Sequence, residues 1–317
     1  MIINIIIFIV GLALLCYGAD WLVKGSSRMA ESFGIKPLVV GLTVVAIGTS
    51  SPELVVSVVS IAQKKNDIAL GNIIGSNICN IGLILGISAL MHYLTVQKIF
   101  LKKELPIMIF SSALLFIFSS NLLISRVEGA VLVAGFIAFM LYIILSTLKS
   151  NGKAELDLNI EALGLRNNNN KLKDTIFIII GIAGLVLGSH LMVKSSVVIA
   201  KSIGISDFVI GLVLVAFGTS LPELATSVAA AFRKETDILV GNVIGSNISN
   251  AFLVIGTVAL LKPVTVDQSV LFFEFPAMMI FSFLLFVFLR AGASLQRIYG
   301  AIFLIGYVFV MVVSFYR

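Results

Sequence analysis

VVAIGTSSPELVVSV, residues 44–58, returns at residues 214–228 as LVAFGTSLPELATSV. Each copy lies in an apolar run long enough to cross a bilayer, and each carries a proline and a glutamate near its middle. A charge in hydrocarbon costs at least about 2.5–3.5 kcal/mol, and proline removes a helical hydrogen bond. Two copies at one spacing therefore mark a feature that the membrane by itself disfavours. Extended at an offset of 170, the alignment sets residues 41–90 over 211–260 with 27 of 50 positions identical and no gap. Gly18, Lys24, Ser26 and Gly34 carry the register upstream, facing Gly188, Lys194, Ser196 and Gly204. The identities fall on glycines and polar residues, whereas a duplicated scaffold needs only apolar ones.

The chain of 317 residues is 59% hydrophobic and 12% charged, with mean hydropathy +1.12. Soluble domains carry about 25% charge. A span takes about 20 apolar residues, and ten segments qualify: 2–23, 36–62, 68–91, 105–122, 127–148, 175–200, 207–232, 237–261, 269–289 and 298–315. Only helices and closed barrels satisfy their backbone in lipid, and the alternation of barrel strands is absent. The fold class is thus all-α: a polytopic membrane protein of ten transmembrane helices. The repeat divides it into residues 1–148 and 174–317, joined by a polar linker over 149–173 that holds the Asn167–Asn170 run. Each half has five spans, an odd number, so the second half enters the membrane upside down relative to the first. Inverted five-helix repeats are a transporter design, with the substrate site at the midplane between them.

Placing the N-terminus outside leaves Lys64, Lys65, Arg126, Lys194, Lys201, Lys262 and Arg317 outside, seven of the 22 Lys and Arg. The rest become cytoplasmic, as the positive-inside rule requires. The reading is a multi-pass plasma-membrane protein with both termini extracellular. The first segment has neither a basic leader nor a small-residue cleavage site and reads as an uncleaved span. The basic residues are scattered through loops, which argues against nucleic acid as a partner. No obligate protein partner is evident, and the lipid bilayer is the solvent. Cys16 and Cys79 fall in spans and read as packing residues; His92 and His190 read as structural.

Pro52 leaves carbonyls one turn earlier, near Gly48 and Thr49, without a helical partner. Pro222, Gly218 and Thr219 repeat this in the second half. Freed carbonyls, the hydroxyls of Thr49 and Ser50 and the Glu53 carboxylate gather in one place, as do Thr219, Ser220 and Glu223. Hard cations prefer such oxygens. The next span of each half supplies GNIIGSNICN (71–80) and GNVIGSNISN (241–250), where Asn72, Ser76 and Asn80, and Asn242, Ser246 and Asn250, recur every four residues along one helical stripe. Two ionised glutamates are neutralised by one Ca²⁺ or two Na⁺. An empty occluded site is penalised, which makes exchange obligatory. There is no Walker A, haem motif or zinc constellation, so the reading is a transporter without cofactor and not an enzyme.

These paired motifs resemble the α1 and α2 repeats of the Na⁺/Ca²⁺ exchangers in the cation/Ca²⁺ exchanger superfamily, and the compact prokaryotic members above all. The resemblance covers both halves. It implies a secondary active antiporter exchanging Na⁺ for Ca²⁺ by alternating access, with the first span of each half sliding across the rest. It implies that Glu53 and Glu223 are the Ca²⁺ carboxylates and that Thr49 and Thr219 ligate through backbone carbonyls. The Ala46 and Ala216 carbonyls, with the Ser50, Ser76, Ser220 and Ser246 hydroxyls, would serve flanking Na⁺ positions, and Asn80 and Asn250 a central one. K⁺-dependent relatives, and some prokaryotic ones, carry Asp where this chain has Asn250, which argues against a K⁺ requirement. A Ca²⁺/H⁺ antiporter of the same superfamily is the alternative, although those usually place Glu where this chain has Ser76 and Ser246. A cation channel is the reading from another class.

Overall fold

The computed structural model describes residues 2–33, 35–63, 66–96, 103–157, 171–202, 216–292 and 294–316. Ten long helices run through them: α1 (Ile2–Ser32), α2 (Ser51–Ala62), α3 (Asn66–Cys79), α4 (Glu104–Ser119), α5 (Arg126–Asp157), α6 (Lys171–Ser202), α7 (Leu221–Phe232), α8 (Thr236–Ser249), α9 (Glu274–Gly292) and α10 (Arg297–Tyr316). Four are extended by further helical pieces. Pro37–Val40, a π segment Gly41–Val45 and Ala46–Thr49 lead into α2, and Ala216–Thr219 leads into α7. A π segment, Asn80–Leu85 or Asn250–Val254, continues α3 and α8 into Gly86–Met91 and Ile255–Leu261. The short helix Gln268–Phe272 precedes α9 and is capped by Asp267, whose side chain accepts from the Ser269 amide at 2.7 Å. The Ser269 hydroxyl and amide hold this exposed carboxyl below its ordinary range.

Eight of the resulting spans are long and apolar enough to cross a membrane, and Glu104–Ser119 and Leu221–Phe232 are shorter apolar helices. Some bounds differ from the hydropathy reading. The first helix continues past residue 23 to Ser32, across Lys24 and Arg28, because Arg28 meets the buried Asp174 of α6 at 4.0 Å. The fourth ends at Ser119 and not 122, because Leu122 takes a left-handed φ of 65°. The segment read as span seven, 207–232, is described from Ala216 onward. Of the linker expected over 149–173, residues 158–170 lie outside the described residues; α5 runs to Asp157 and α6 starts at Lys171.

Two small strand pairs reveal how the halves are related. β1 (Leu94–Thr95), after the third span, pairs antiparallel with β4 (Ser294–Leu295), between the ninth and tenth. β2 (Leu123–Ile124), between the fourth and fifth spans, pairs with β3 (Val264–Thr265), after the eighth. The Tyr93 hydroxyl donates to Ser294 Oγ at 2.7 Å beside the first pair, and the Val266 amide donates to the Leu122 carbonyl at 2.9 Å beside the second. The ends of span three and span nine thus share a membrane face. They are the third and fourth spans of their halves, so they meet only if one half is inverted. The protein is an all-α polytopic membrane protein of ten transmembrane helices in two inverted five-helix repeats.

Burial separates a centre from a rim. The hydrophobic window of Ile68–Met91 is 78% buried and that of Thr236–Leu261 83%, against 22% for Ile2–Ser32 and 17% for Arg297–Ser314. The third span of each half is therefore the core, wrapped by helices that face lipid. In a bilayer apolar faces gain nothing by leaving lipid for protein, so contact depends on close packing of small residues. A Cβ on Gly245 would stand 2.6 Å from the Leu42 carbonyl oxygen and one on Gly241 2.7 Å from that of Leu38, which brings α8 backbone-close to the segment before α2.

At the rim α1 and α6 pack antiparallel along a seam of glycines. A Cβ on Gly11 would meet the Gly188 carbonyl at 2.9 Å, one on Gly18 the Gly181 carbonyl at 2.9 Å, and one on Gly25 the Asp174 carbonyl at 2.8 Å. α6 also lies across both helix breaks: its Ile182 side chain covers Gly48, and its Val193 side chain covers Gly218. An Arg233–Asp20 ion pair and a 2.6 Å bond from Ser27 Oγ to Glu235 fasten α1 to the turn after α7.

Candidate cation site between the inverted halves

The helix entering α2 stops at Thr49, Ser50 turns, and α2 begins with Pro52 in its first turn, where a missing N–H costs least. Across the break, the Ser50 amide donates to the Ala46 carbonyl at 3.0 Å and the Leu54 amide to the Ser50 carbonyl at 3.2 Å. Pro52 has no N–H for the Gly48 carbonyl, and the Ser51 hydroxyl takes that place at 2.7 Å. Between them, the Thr49 carbonyl receives no backbone N–H among the described residues. The second half repeats the turn at Ser220, with Pro222 in the first turn of α7. Leu221 stands where the first half has Ser51, so no hydroxyl from that position can take the Gly218 carbonyl, and the two breaks are not equivalent. Ala216 opens the segment before Ser220; its side-chain surroundings lie outside the described residues.

Each break faces the third span of the other half. Thr49 Oγ1 donates to Asn242 Oδ1 at 3.0 Å, and Thr219 Oγ1 to Asn72 Oδ1 at 2.9 Å. Thr49 Oγ1 also lies 3.3 Å from the Ala46 carbonyl. Ser50 Oγ reaches the Glu223 carboxylate at 3.2 Å, and Ser220 Oγ reaches Ser76 Oγ at 3.0 Å, which in turn lies 3.5 Å from Glu53 Oε1. Asn72 and Asn242 are held from behind by the Ser57 and Ser227 hydroxyls at 3.1 and 3.3 Å. The structure thus brings Thr49, Ser50, Glu53, Ser76, Thr219, Ser220 and Glu223 into one cluster of bonded groups between the halves, Ser50 with Glu223 and Ser220 with Ser76 and Glu53. Every residue of it is buried, both glutamates at 1% exposure or less.

The oxygens left over define what the cluster can bind. Glu53 Oε2, Glu223 Oε2, Ser246 Oγ, Asn80 Oδ1 and Asn250 Oδ1 are buried without a hydrogen-bond partner among the described residues. A buried carboxylate oxygen with no donor is costly, and a cation relieves it. Asn80 and Asn250 each begin a π segment of their helix; such bulges, which disturb the regular bonding of the turn, gather at functional sites.

Asn77 and Asn247 lie off the four-residue stripe read from the sequence, yet they meet on the axis between the halves. Asn80 Nδ2 donates to Asn247 Oδ1 at 2.9 Å and Asn250 Nδ2 to Asn77 Oδ1 at 3.0 Å. The signal for them was present: both are polar identities of the repeat, in GSN of each copy. A stripe counted in fours passes them by because they point about 100° away from Ser76 and Ser246.

A family model described as Sodium/calcium exchanger protein matches residues 3–145 and 173–316, one segment on each half. The sodium/calcium exchanger MaX1 of Methanosarcina acetivorans is 36% identical over 346 residues, covering 99% of both chains. The putative antiporter CaxA of Alkalimonas amylolytica is 35% identical over 311 residues, covering 97% of both. A solved structure of the sodium-calcium exchanger NCX_Mj, soaked with 2.5 mM Na⁺ and 0.1 mM Ca²⁺, superposes with TM-score 0.86 at 34% identity over 98% of both chains. With two matching segments on two inverted halves, the chain belongs to the sodium/calcium exchanger protein family.

Proposed function

We propose that this protein is a secondary antiporter that exchanges Na⁺ for Ca²⁺ by alternating access, with the ions held between Glu53 and Glu223. The observation that carries the reading is the buried pair of glutamates from inverted halves, Glu223 bonded across to Ser50 and Glu53 to Ser76, each with one carboxylate oxygen lacking a partner among the described residues. The ligands mix across the halves: Ser50 lies on Glu223, and Ser220 reaches Glu53 through Ser76. Thr49, Thr219, Ser246, Asn80, Asn250 and the Ala46 and Ala216 carbonyls complete the set. MaX1 is named a sodium/calcium exchanger and NCX_Mj was soaked with both ions, in line with this cargo. The positive-inside bias supports a plasma-membrane orientation with both termini outside. In proteoliposomes, an outward Na⁺ gradient drives ⁴⁵Ca²⁺ uptake and a pH gradient of equal size does not; the reverse result overturns the Na⁺ assignment in favour of H⁺.

Transport proceeds without K⁺. The central amides Asn80 and Asn250 add no charge to the two glutamates, so nothing further calls for a third cation. Replacing all K⁺ by choline leaves the rate unchanged, and a strict K⁺ requirement would contradict the reading. Asn250→Asp adds an ionisable group and makes transport pH-dependent; an unaltered pH profile places residue 250 off the ion path.

The cycle is electrogenic. Two glutamates balance one Ca²⁺ or two Na⁺, and the two flanking hydroxyl clusters leave room for one more Na⁺. The Na⁺-loaded protein then carries one positive charge, worth about 2.3 kcal/mol per 100 mV. With ion gradients fixed and the potential clamped by valinomycin and K⁺, inside-positive vesicles take up Ca²⁺ faster than inside-negative ones. A rate indifferent to the potential means a neutral cycle.

A further inference from the structure

We propose that Asn77 and Asn247 are positioning residues that set the amide orientation of Asn250 and Asn80 across the two halves, so that each central amide offers its oxygen and not its NH₂ to the cation. This rests on the site reading above. An asparagine amide has two ends of nearly equal shape, and only its partners decide which way it points. For Asn77 and Asn247 the partner is main chain. Asn77 Nδ2 lies 3.5 Å from the Asn247 carbonyl oxygen, and Asn247 Nδ2 lies 3.4 Å from the Asn77 carbonyl oxygen. A carbonyl can only accept, so the NH₂ must face it. The thioether sulfurs of Met278 and Met108, 3.6 and 3.9 Å from the same two NH₂ groups, are also acceptors.

With the NH₂ committed, Oδ1 of each of these residues turns the other way, toward the central amides. Asn80 and Asn250 are then obliged to donate, at 2.9 and 3.0 Å. Their own Oδ1 atoms are left buried and without a partner among the described residues. All four asparagines are exposed by 1% or less, so bulk water does not reach them. The relay runs from a fixed main-chain carbonyl through one amide to the next and ends on an oxygen. A flipped Asn80 or Asn250 would bring two oxygens together at one end and present an NH₂ to a cation at the other.

The wiring is crossed, which gives the test its discrimination: Asn247 acts through Asn80, and Asn77 acts through Asn250. The measurement is the KM for Ca²⁺ in Na⁺-driven uptake by reconstituted, monodisperse protein. Asn247→Ala raises KM roughly tenfold, the scale of one hydrogen-bonded orientation lost in a buried site. In an Asn80→Ala background the same substitution adds less than about twofold, because the amide it orients is gone; in an Asn250→Ala background it keeps its full effect. The mirror cycle with Asn77→Ala exchanges the two backgrounds. Asn247→Leu, which leaves little cavity, carries the comparison if the alanine variant does not fold. Equal effects in both backgrounds would make Asn77 and Asn247 packing residues and overturn the proposal, as would failure of every variant at 77 and 247 to fold. An Asn80→Ala protein with unaltered KM is a different outcome: it removes the site reading itself.

Discussion

Glu53→Gln and Glu223→Gln each bring Na⁺-driven ⁴⁵Ca²⁺ uptake down to background, at least about a hundredfold below the unaltered protein. The size follows from what the amide takes away. It removes one of the two charges that face a divalent cation in a medium where a single unpaired charge costs about 2.5–3.5 kcal/mol or more. It also turns an oxygen pair into one oxygen and one NH₂, and the NH₂ repels the cation. Glu53 already takes the Ser76 hydroxyl on Oε1, and Glu223 takes Ser50 on Oε1. That leaves Oε2 of each, which has no partner among the described residues, as the oxygen proposed to meet the cation. Folding moves the other way. A buried carboxylate without a counter-charge is destabilising in the ion-free protein, so both variants melt at or above the unaltered Tm when Na⁺ and Ca²⁺ are removed. Near-normal uptake by either variant overturns the ligand assignment, whereas lost uptake with a collapsed melting curve shows only that the protein failed to fold.

Gly18→Val separates α1 from α6 and reduces exchange at least tenfold. A Cβ at this position would stand 2.8 Å from the Leu185 amide nitrogen and 2.9 Å from the Gly181 carbonyl oxygen. Both are backbone atoms inside a helix and cannot swing aside, so the helices must part along the seam. Overpacking of this kind costs about 1–3 kcal/mol even where side chains can move. Gly18→Ala has a smaller effect in the same direction. Leu12→Val, at a residue of α1 that is itself 42% exposed, is neutral and controls for handling α1 at all. Uptake assays with size-exclusion profiles separate the three. A Gly18→Val protein with unaltered exchange would mean that the α1–α6 seam is dispensable to transport.

Much of the fold was legible because membrane helices announce themselves by length. The ten apolar runs, the offset of 170 and the parity of five spans per half determine the inverted arrangement without coordinates. Where charge interrupts a run, hydropathy under-reads the helix: α1 passes through Lys24 and Arg28 because a carboxylate on α6 waits for Arg28. The strand pairs were invisible, since two-residue strands carry no alternation to detect. At the site, repeat identity pointed to the glutamates, serines and threonines, and the structure groups them. What the stripe of Asn72, Ser76 and Asn80 could not reveal is that Asn72 reaches Thr219 of the opposite half, or that Asn77 stands behind Asn250. Both are contacts between residues more than 140 positions apart in the chain, and no local periodicity encodes them.

The two strand pairs also impose an order on synthesis. Leu94 and Thr95 emerge early, but their partners are Leu295 and Ser294, two hundred residues later. At typical elongation rates of about 5–20 residues per second, that interval lasts roughly 10–40 s. The N-terminal half must therefore wait in the bilayer with one strand edge open until the ninth span has been made. A nascent chain stalled before residue 294 has every glutamate, serine and asparagine of the site and still lacks the clasp on one membrane face. Synthesis of Ser294 and Leu295, and not insertion of the helices that carry the two glutamates, is the event that allows the two halves to be joined on both faces.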